Sequence, residues 1–427
     1  MTRGRATKPI VTVSEWDVVE LPQILDRSDV RNRLLKAGAT KSGDAFDLRR
    51  GRLFARNLAG LVSTRDVRVQ ILPKVYGSAE PERGMRLLQS LLRLEANYLG
   101  DVRESQVAAG DQDLLEFMIG QAALRLQTNI AEGVPRRYAE KRETTETIRG
   151  RIALNELSRL PPGGRVRVPV THSPLQRDND LSRLLRAVAR ELFRLSRSAR
   201  HRRVLGTCEA MLWDVGSVPL SRKLLDRASP SRLEEEWRWV IQLAESLFLN
   251  RLADPTRAGE HESFSVLFSL HGLFERAVRR SVKRALSQPL SLSSTKSIGY
   301  LLESGSGGPS FMNLQPDLII QNGAFPYIIG DAKWRERKGA SVGRIDAYQM
   351  VTYMAHTKAK RGFLIQPSAA PLDGIIAVTP FHLSSGQGAL FLFEIDAEKL
   401  CADVNTRSDA VSKALGEAIS SLAAHPA

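Results

Sequence analysis

Asp317, Asp331 and Lys333 are the residues of this sequence whose types and spacing could do chemistry. They lie within LQPDLIIQNGAFPYIIGDAK, residues 314–333, where two apolar, β-branched runs (314–320 and 326–333) flank Gln321-Asn322-Gly323-Ala324. An Asn-Gly pair suits positive φ, so the stretch predicts a β-hairpin with Asp317 on one strand and Asp331 and Lys333 on the other. Strand side chains alternate between faces, so Asp331 and Lys333 project to the same side. Apolar strands carry charges at a cost unless the charges pair or bind metal. Two carboxylates beside an ammonium suit an Mg²⁺ site for phosphodiester hydrolysis, because Mg²⁺ takes hard oxygen ligands and keeps several waters. Metal and lysine can then position hydroxide and neutralise the pentavalent phosphorus centre. The plainer alternative is that Asp317 caps a strand while Asp331 forms a surface ion pair with Lys333 or an arginine.

Other elements must bring these groups together. Residues 264–286, FSVLFSLHGLFERAVRRSVKRAL, read as one long helix with Phe274, Val278 and Val282 toward a core and Glu275 beside that face. Residues 344–358 predict a helix that sets Asp346, Gln349 and Tyr353 on one face. Strands are expected at 362–366, 374–378 and 390–395, and a terminal helix or tail at 406–427. His172, His271 and His356 show no ligand spacing and read as structural.

Upstream, strands are expected at 10–13, 18–21, 46–48, 53–55 and 67–72, followed by helices at 85–98 and 114–130. The charged segment from Gly133 offers Arg136, Arg137, Arg142, Arg149 and Arg151 to phosphate or an acidic surface, although charge runs are usually solvated. A strand at 166–170 follows the Pro161-Pro162-Gly163-Gly164 break. Helices at 180–195 and 232–251 come next, the tryptophans of the second read as core. Residues 253–262 read as a linker and 303–310 as a Gly-rich loop. The expected class is α/β, α+β overall: a β-rich then helical N-terminal region (1–135), a mainly helical middle region (136–260), a C-terminal α/β domain (261–405) and a terminal helix or tail (406–427).

Lys and Arg number 62 against 47 Asp and Glu, a formal charge of +15, which favours a polyanionic partner, with nucleic acid the first candidate. Cys208 and Cys401 stand far apart with no zinc-type spacing, which fits a reducing cytoplasm. No signal peptide or membrane span is expected.

The order helix with Glu275, strand, strand with Asp317, strand with Asp331 and Lys333, helix with Gln349, strand resembles the αβββαβ core of PD-(D/E)XK nucleases. Pro316-Asp317 followed by Asp331-Ala332-Lys333 matches that motif residue for residue. The resemblance implies that Asp317 and Asp331 bind Mg²⁺, that Lys333 activates water and steadies phosphate charge, that Glu275 assists at the metal, and that Gln349 and Tyr353 flank the site. Ile71–Val75 (ILPKV), the RRYAEKRETTETIRGRI segment, Asp178-Asn179-Asp180-Leu181, Leu273-Phe274-Glu275 and the DAKW…DAYQMVTYM tail look like McrC, the nuclease subunit of the McrBC modification-dependent restriction system. Trp334 stands where that family commonly has tyrosine. The resemblance implies an endonuclease for double-stranded DNA that works with a hexameric AAA+ GTPase, McrB, which reads 5-methylcytosine and binds GTP. This chain has no GxxxxGK[ST] P-loop, so GTP is expected on the partner. Two alternatives stand beside this: a non-catalytic basic adaptor that only activates the GTPase, and a nuclease acting on unmodified DNA with another partner.

Overall fold

The computed structural model describes residues 8–40, 43–76, 79–94, 113–159, 167–252, 263–295, 297–302, 304, 310–323, 325–335, 341–384, 388–400 and 409–424. The expected linker at 253–262, the break at 161–164, most of the Gly-rich loop and Cys401 lie outside these residues. The fold is mixed α/β. It divides into two compact units, residues 1–117 with 256–427, and residues 118–255.

In the second unit, the helix Asp180–Leu195 forms over the expected residues, with Leu181, Leu184, Leu185, Val188 and Leu192 buried and Asn179 accepting from the Ser182 N–H as its cap. Trp237 and Trp239 are buried, in keeping with a core role. The charged segment forms short strands, among them Lys141–Thr145, which pairs with Val168–His172. Arg137 is drawn into an ion pair with Glu234 at 2.7 Å, whereas Arg136, Arg142, Arg149 and Arg151 are exposed.

Among the described residues the first unit holds a four-stranded and a six-stranded sheet, beside three two-stranded ribbons, and one continuous piece of chain joins the two larger sheets. In the first sheet Ile10–Ser14, Arg68–Leu72, Leu58–Ser63 and Phe264–Ser269 lie side by side. This corrects the single long helix read over 264–286. Phe264, Val266 and Phe268 alternate into the core with a period of two, and the strand finds its partner in Leu58–Ser63, some two hundred residues earlier. The helix begins only at Leu270, where the Ser269 hydroxyl accepts the Gly272 N–H at 3.2 Å. From there Leu270, Leu273, Phe274, Ala277, Val278 and Val282 repeat with helical spacing and are buried. Residues 18–21, expected as a strand, make only an isolated bridge from Val18 to Phe54.

The second sheet, six-stranded among the described residues, runs in the order Leu290–Leu292, Leu318–Asn322, Phe325–Ala332, Arg361–Pro367, Ala389–Ile395, Ile376–His382. The expected hairpin is present, antiparallel from Leu318 opposite Gly330, with Gly323 at φ +65° as its Asn-Gly turn requires. Its first strand is shorter than expected. Phe311–Leu314 pairs instead with Gly299–Leu302, and the chain bends at Gln315-Pro316-Asp317, so Asp317 immediately precedes the strand.

Phe325–Ala332 and Arg361–Pro367 pair in parallel, the helix Arg344–Thr357 lying between them in sequence. Arg361–Pro367 is buried almost throughout, the pattern of a strand covered on both faces. Gly330 is needed where it stands, because a Cβ there would sit 2.3 Å from the Phe363 ring. Ile319, Ile329, Leu364, Leu392, Met350 and Tyr353 form one apolar cluster that fixes the helix Arg344–Thr357 on this sheet.

Candidate active site

The site forms where the Asp331 strand ends. In an open α/β sheet the carboxyl ends of strands are where polar groups can converge, because hydrogen bonding stops and loops diverge. The antiparallel register that pairs Leu318 with Gly330 continues to set Asp317 beside Asp331. Asp317 is held in place twice: its Oδ2 accepts the Ala332 N–H at 2.8 Å, and its backbone carbonyl accepts from Arg279 of the Glu275 helix at 2.8 Å. Arg279 also donates to the Ser293 carbonyl at 2.6 Å, which ties that helix to the sheet edge.

Lys333 sits between two acceptors. Its Nζ lies 2.6 Å from Asp331 Oδ2 and donates to Gln349 Oε1 at 3.0 Å, and Gln349 Nε2 donates in turn to the Tyr353 hydroxyl at 2.7 Å. The Lys333 N–H is fixed by the Ile365 carbonyl at 2.8 Å. The Asp331–Lys333 contact is thus an ion pair, as the plainer reading expected, but a buried one: the Asp331 side chain is only 3% exposed. The buried Asp331 Oδ2 therefore has the Lys333 ammonium beside it, and no other group among the described residues donates a hydrogen bond to it. Such an oxygen is costly to bury and is suited to a ligand.

The carboxylates repel one another. Burial first, then the Asp331 charge and the Glu275 charge, push the Asp317 carboxyl up to about 6, against the opposing Ala332 N–H and His271. Burial also raises Asp331, opposed by Lys333 and reinforced by Asp346 and Glu275. The buried Tyr353 hydroxyl is raised as well.

Four of the residues singled out from sequence, Asp317, Asp331, Lys333 and Gln349, are therefore joined through direct contacts or adjacent register. Glu275 is close enough for its charge to bear on both aspartates. His271 was set aside in the sequence and belongs here: ligand atoms of His271, Glu275 and Asp317 all lie within 4.8 Å of one another. The signal that could have found it is its i, i+4 spacing from Glu275, which puts both on one helix face. His172 and His356 are otherwise engaged, on Glu143 Oε1 and the Ile298 carbonyl, each at 3.0 Å.

Trp334 links the site to the first sheet. Its indole donates to Glu15 Oε1 at 2.9 Å and meets the Phe274 ring edge-on, the centroids 5.5 Å apart. Phe274 is the neighbour of Glu275, so one side chain braces both the residue after Lys333 and the helix carrying Glu275.

The donor set fits a hard divalent cation: buried carboxylates whose charges push Asp317 up, so that a cation would relieve the repulsion that now favours a proton.

Comparison with known proteins agrees with this architecture. A family model described as McrBC 5-methylcytosine restriction system component matches residues 53–367. The chain belongs to the McrBC family. A chain of the refined half-complex from the tetradecameric assembly of Thermococcus gammatolerans McrB AAA+ hexamers with bound McrC shares its fold, with a TM-score of 0.66 and 19% identity over 94% of this chain and 99% of that one. The cryo-EM structure of the Thermococcus gammatolerans McrBC complex also matches, at 21% identity and a TM-score of 0.49, over 65% of this chain and 88% of that one. Comparison with curated proteins gave no match. Among the described residues no helix is long and apolar enough to cross a membrane.

Proposed function

We propose that this McrBC-family chain is the McrC-like nuclease subunit, an Mg²⁺-dependent endonuclease for double-stranded DNA in a 5-methylcytosine-dependent restriction system. The observation that carries this is the meeting of Asp317, Asp331 and Lys333 at the end of one buried strand, with Glu275 beside them. That set, on a helix, three strands, a helix and a strand, supports assignment to the PD-(D/E)XK nucleases.

Asp317, Asp331 and Glu275 would hold the Mg²⁺. The ion supplies Lewis acidity to the phosphate and lowers the pKa of bound water. Lys333, fixed by Asp331 and Gln349, would offer a preorganised positive charge at the end of the strand to steady charge developing on the phosphate. Gln349 and Tyr353 keep the ammonium from turning away.

Cleavage depends in this reading on a McrB-like AAA+ GTPase hexamer, whose GTP hydrolysis the chain stimulates. Two facts support it: the chain lacks a P-loop, and its fold is shared with a chain of an assembly of McrB hexamers with bound McrC. The excess of basic residues suits a DNA partner.

The test incubates methylated and unmethylated plasmid with the chain, Mg²⁺ and GTP, with and without the GTPase, and repeats it with Asp331→Ala. The expected result is cleavage of methylated plasmid by the complete mixture and none by the variant, which still stimulates GTP hydrolysis. Undiminished cleavage by Asp331→Ala would reject the site, and GTPase stimulation without cleavage by the native chain would favour the adaptor.

A further inference from the structure

We infer that His271 supplies a nitrogen ligand to the divalent cation, turning the centre into a mixed nitrogen and oxygen site that binds Mn²⁺ more tightly than Mg²⁺. The inference rests on the reading of Asp317 and Glu275 as metal ligands and extends it by one residue and by the identity of the preferred ion.

Geometry comes first. His271 and Glu275 stand one turn apart on the helix Leu270–Ala285, and their ligand atoms lie within 4.8 Å of each other and of an Asp317 oxygen. Small side-chain adjustments would draw three atoms spaced in this way onto one cation, whose bonds to oxygen are about 2.0–2.1 Å for Mg²⁺. The helix is anchored by the Ser269 cap and by Arg279 on the Asp317 and Ser293 carbonyls, so the three donors approach from fixed backbones.

The surroundings point to a cation independently of that spacing. Asp331, 2% exposed, stands beside Asp317 by register, and its Oδ2 has the Lys333 ammonium at 2.6 Å and no other hydrogen-bond donor among the described residues, so buried negative charge here exceeds the one cation beside it. No hydrogen bond claims a His271 ring nitrogen among the described residues, in contrast to His172 and His356. An imidazole beside two carboxylates with neither nitrogen engaged is available as a ligand.

Chemistry then sets the preference. Mg²⁺ favours an all-oxygen shell and holds its waters strongly, so imidazole gains it little. Manganese accepts carboxylate and water as readily and stands in the transition-metal series, for which imidazole is a good donor. A site of two or three carboxylates and one histidine keeps Mg²⁺ binding through its oxygens while adding affinity for Mn²⁺ through one nitrogen.

The full-length chain is loaded with substoichiometric Mn²⁺ and its pulsed electron paramagnetic resonance recorded, with binding of Mn²⁺ and Mg²⁺ measured by titration calorimetry. The wild type is expected to show ¹⁴N coupling from a coordinated imidazole. His271→Gln should lose that coupling, with Mn²⁺ binding weakened roughly tenfold or more and Mg²⁺ binding much less affected. Mn²⁺ bound in an Asp317-dependent manner but without ¹⁴N coupling in the wild type would overturn the role of His271 and leave the carboxylate centre standing. Mn²⁺ binding that is absent, or unchanged by Asp317→Asn, would overturn both. The wild-type spectrum decides the matter even if a variant folds poorly.

Discussion

Replacing Asp317 by Asn should stabilise the metal-free protein at neutral pH, although it removes a charge from the candidate centre. The Asp317 carboxyl is pushed from its ordinary 3.8 up to about 6 by burial and by the Asp331 and Glu275 charges. In the folded chain it therefore holds its proton about two pH units longer than in the unfolded chain. Between about pH 4 and pH 6 the native state binds more protons than the unfolded one, so this residue makes stability fall as pH rises. Below about pH 4 both states are protonated and the penalty is absent; above about pH 6 it is complete, on the order of 3 kcal/mol. Asn cannot ionise, and its amide oxygen can still accept the Ala332 N–H that Asp317 Oδ2 accepts at 2.8 Å. Denaturant unfolding of both proteins in chelator from pH 4 to pH 8 should show curves that coincide at the acid end and diverge through pH 6, the variant more stable. Added Mg²⁺ should narrow the gap by stabilising only the wild type. A constant difference across the range, or a variant less stable at pH 8, would refute the electrostatic account of this cluster.

Two further outcomes follow from the contacts around Lys333. Gln349→Met removes the acceptor 3.0 Å from Lys333 Nζ and leaves the Asp331 pair as the remaining anchor, so kcat for cleavage in the complete mixture should fall about 10- to 100-fold with KM little changed. An effect confined to KM would place Gln349 in DNA binding instead. Trp334→Phe keeps a ring against Phe274 but deprives the buried Glu15 of its 2.9 Å donor, and should cost about 1–3 kcal/mol in denaturant unfolding. Wild-type stability in that variant would mean that the remaining donors to Glu15, among them the Lys74 N–H at 3.3 Å, suffice without the indole.

Local signals survived folding wherever one segment carried them whole. The Asn-Gly turn, the Asp180–Leu195 helix with its Asn179 cap, and the apolar run of the Asp331 strand were legible because run, period and cap act over a few residues. Residues 264–269 read as helix from sequence because six apolar or small residues fit a helix as well as a strand. Their partner at 58–63 lies far away in the sequence, and no local rule could supply it. The strand at 58–63 and the helix Ser28–Gly38 went unidentified for a similar reason, a short apolar run and a weakly amphipathic stretch that packing completes. His271 carries only a faint local signal, its one-turn spacing from Glu275, and that pair becomes a candidate ligand set only when the fold brings Asp317 to it.

By itself the sequence determined which chemistry was possible: two aspartates and a lysine at strand spacing, an acidic helix residue upstream, a glutamine downstream and a basic excess. Only the tertiary structure decided that these residues meet, that the Asp331–Lys333 pair is buried rather than exposed, that His271 faces the same point, and that Trp334 ties the loop after Lys333 to Glu15. Residue identity and short-range spacing fix what a side chain can donate or accept. Its burial, its charge neighbours and hence its proton affinity arise from strands and helices brought together across the chain, and no window of sequence contains them.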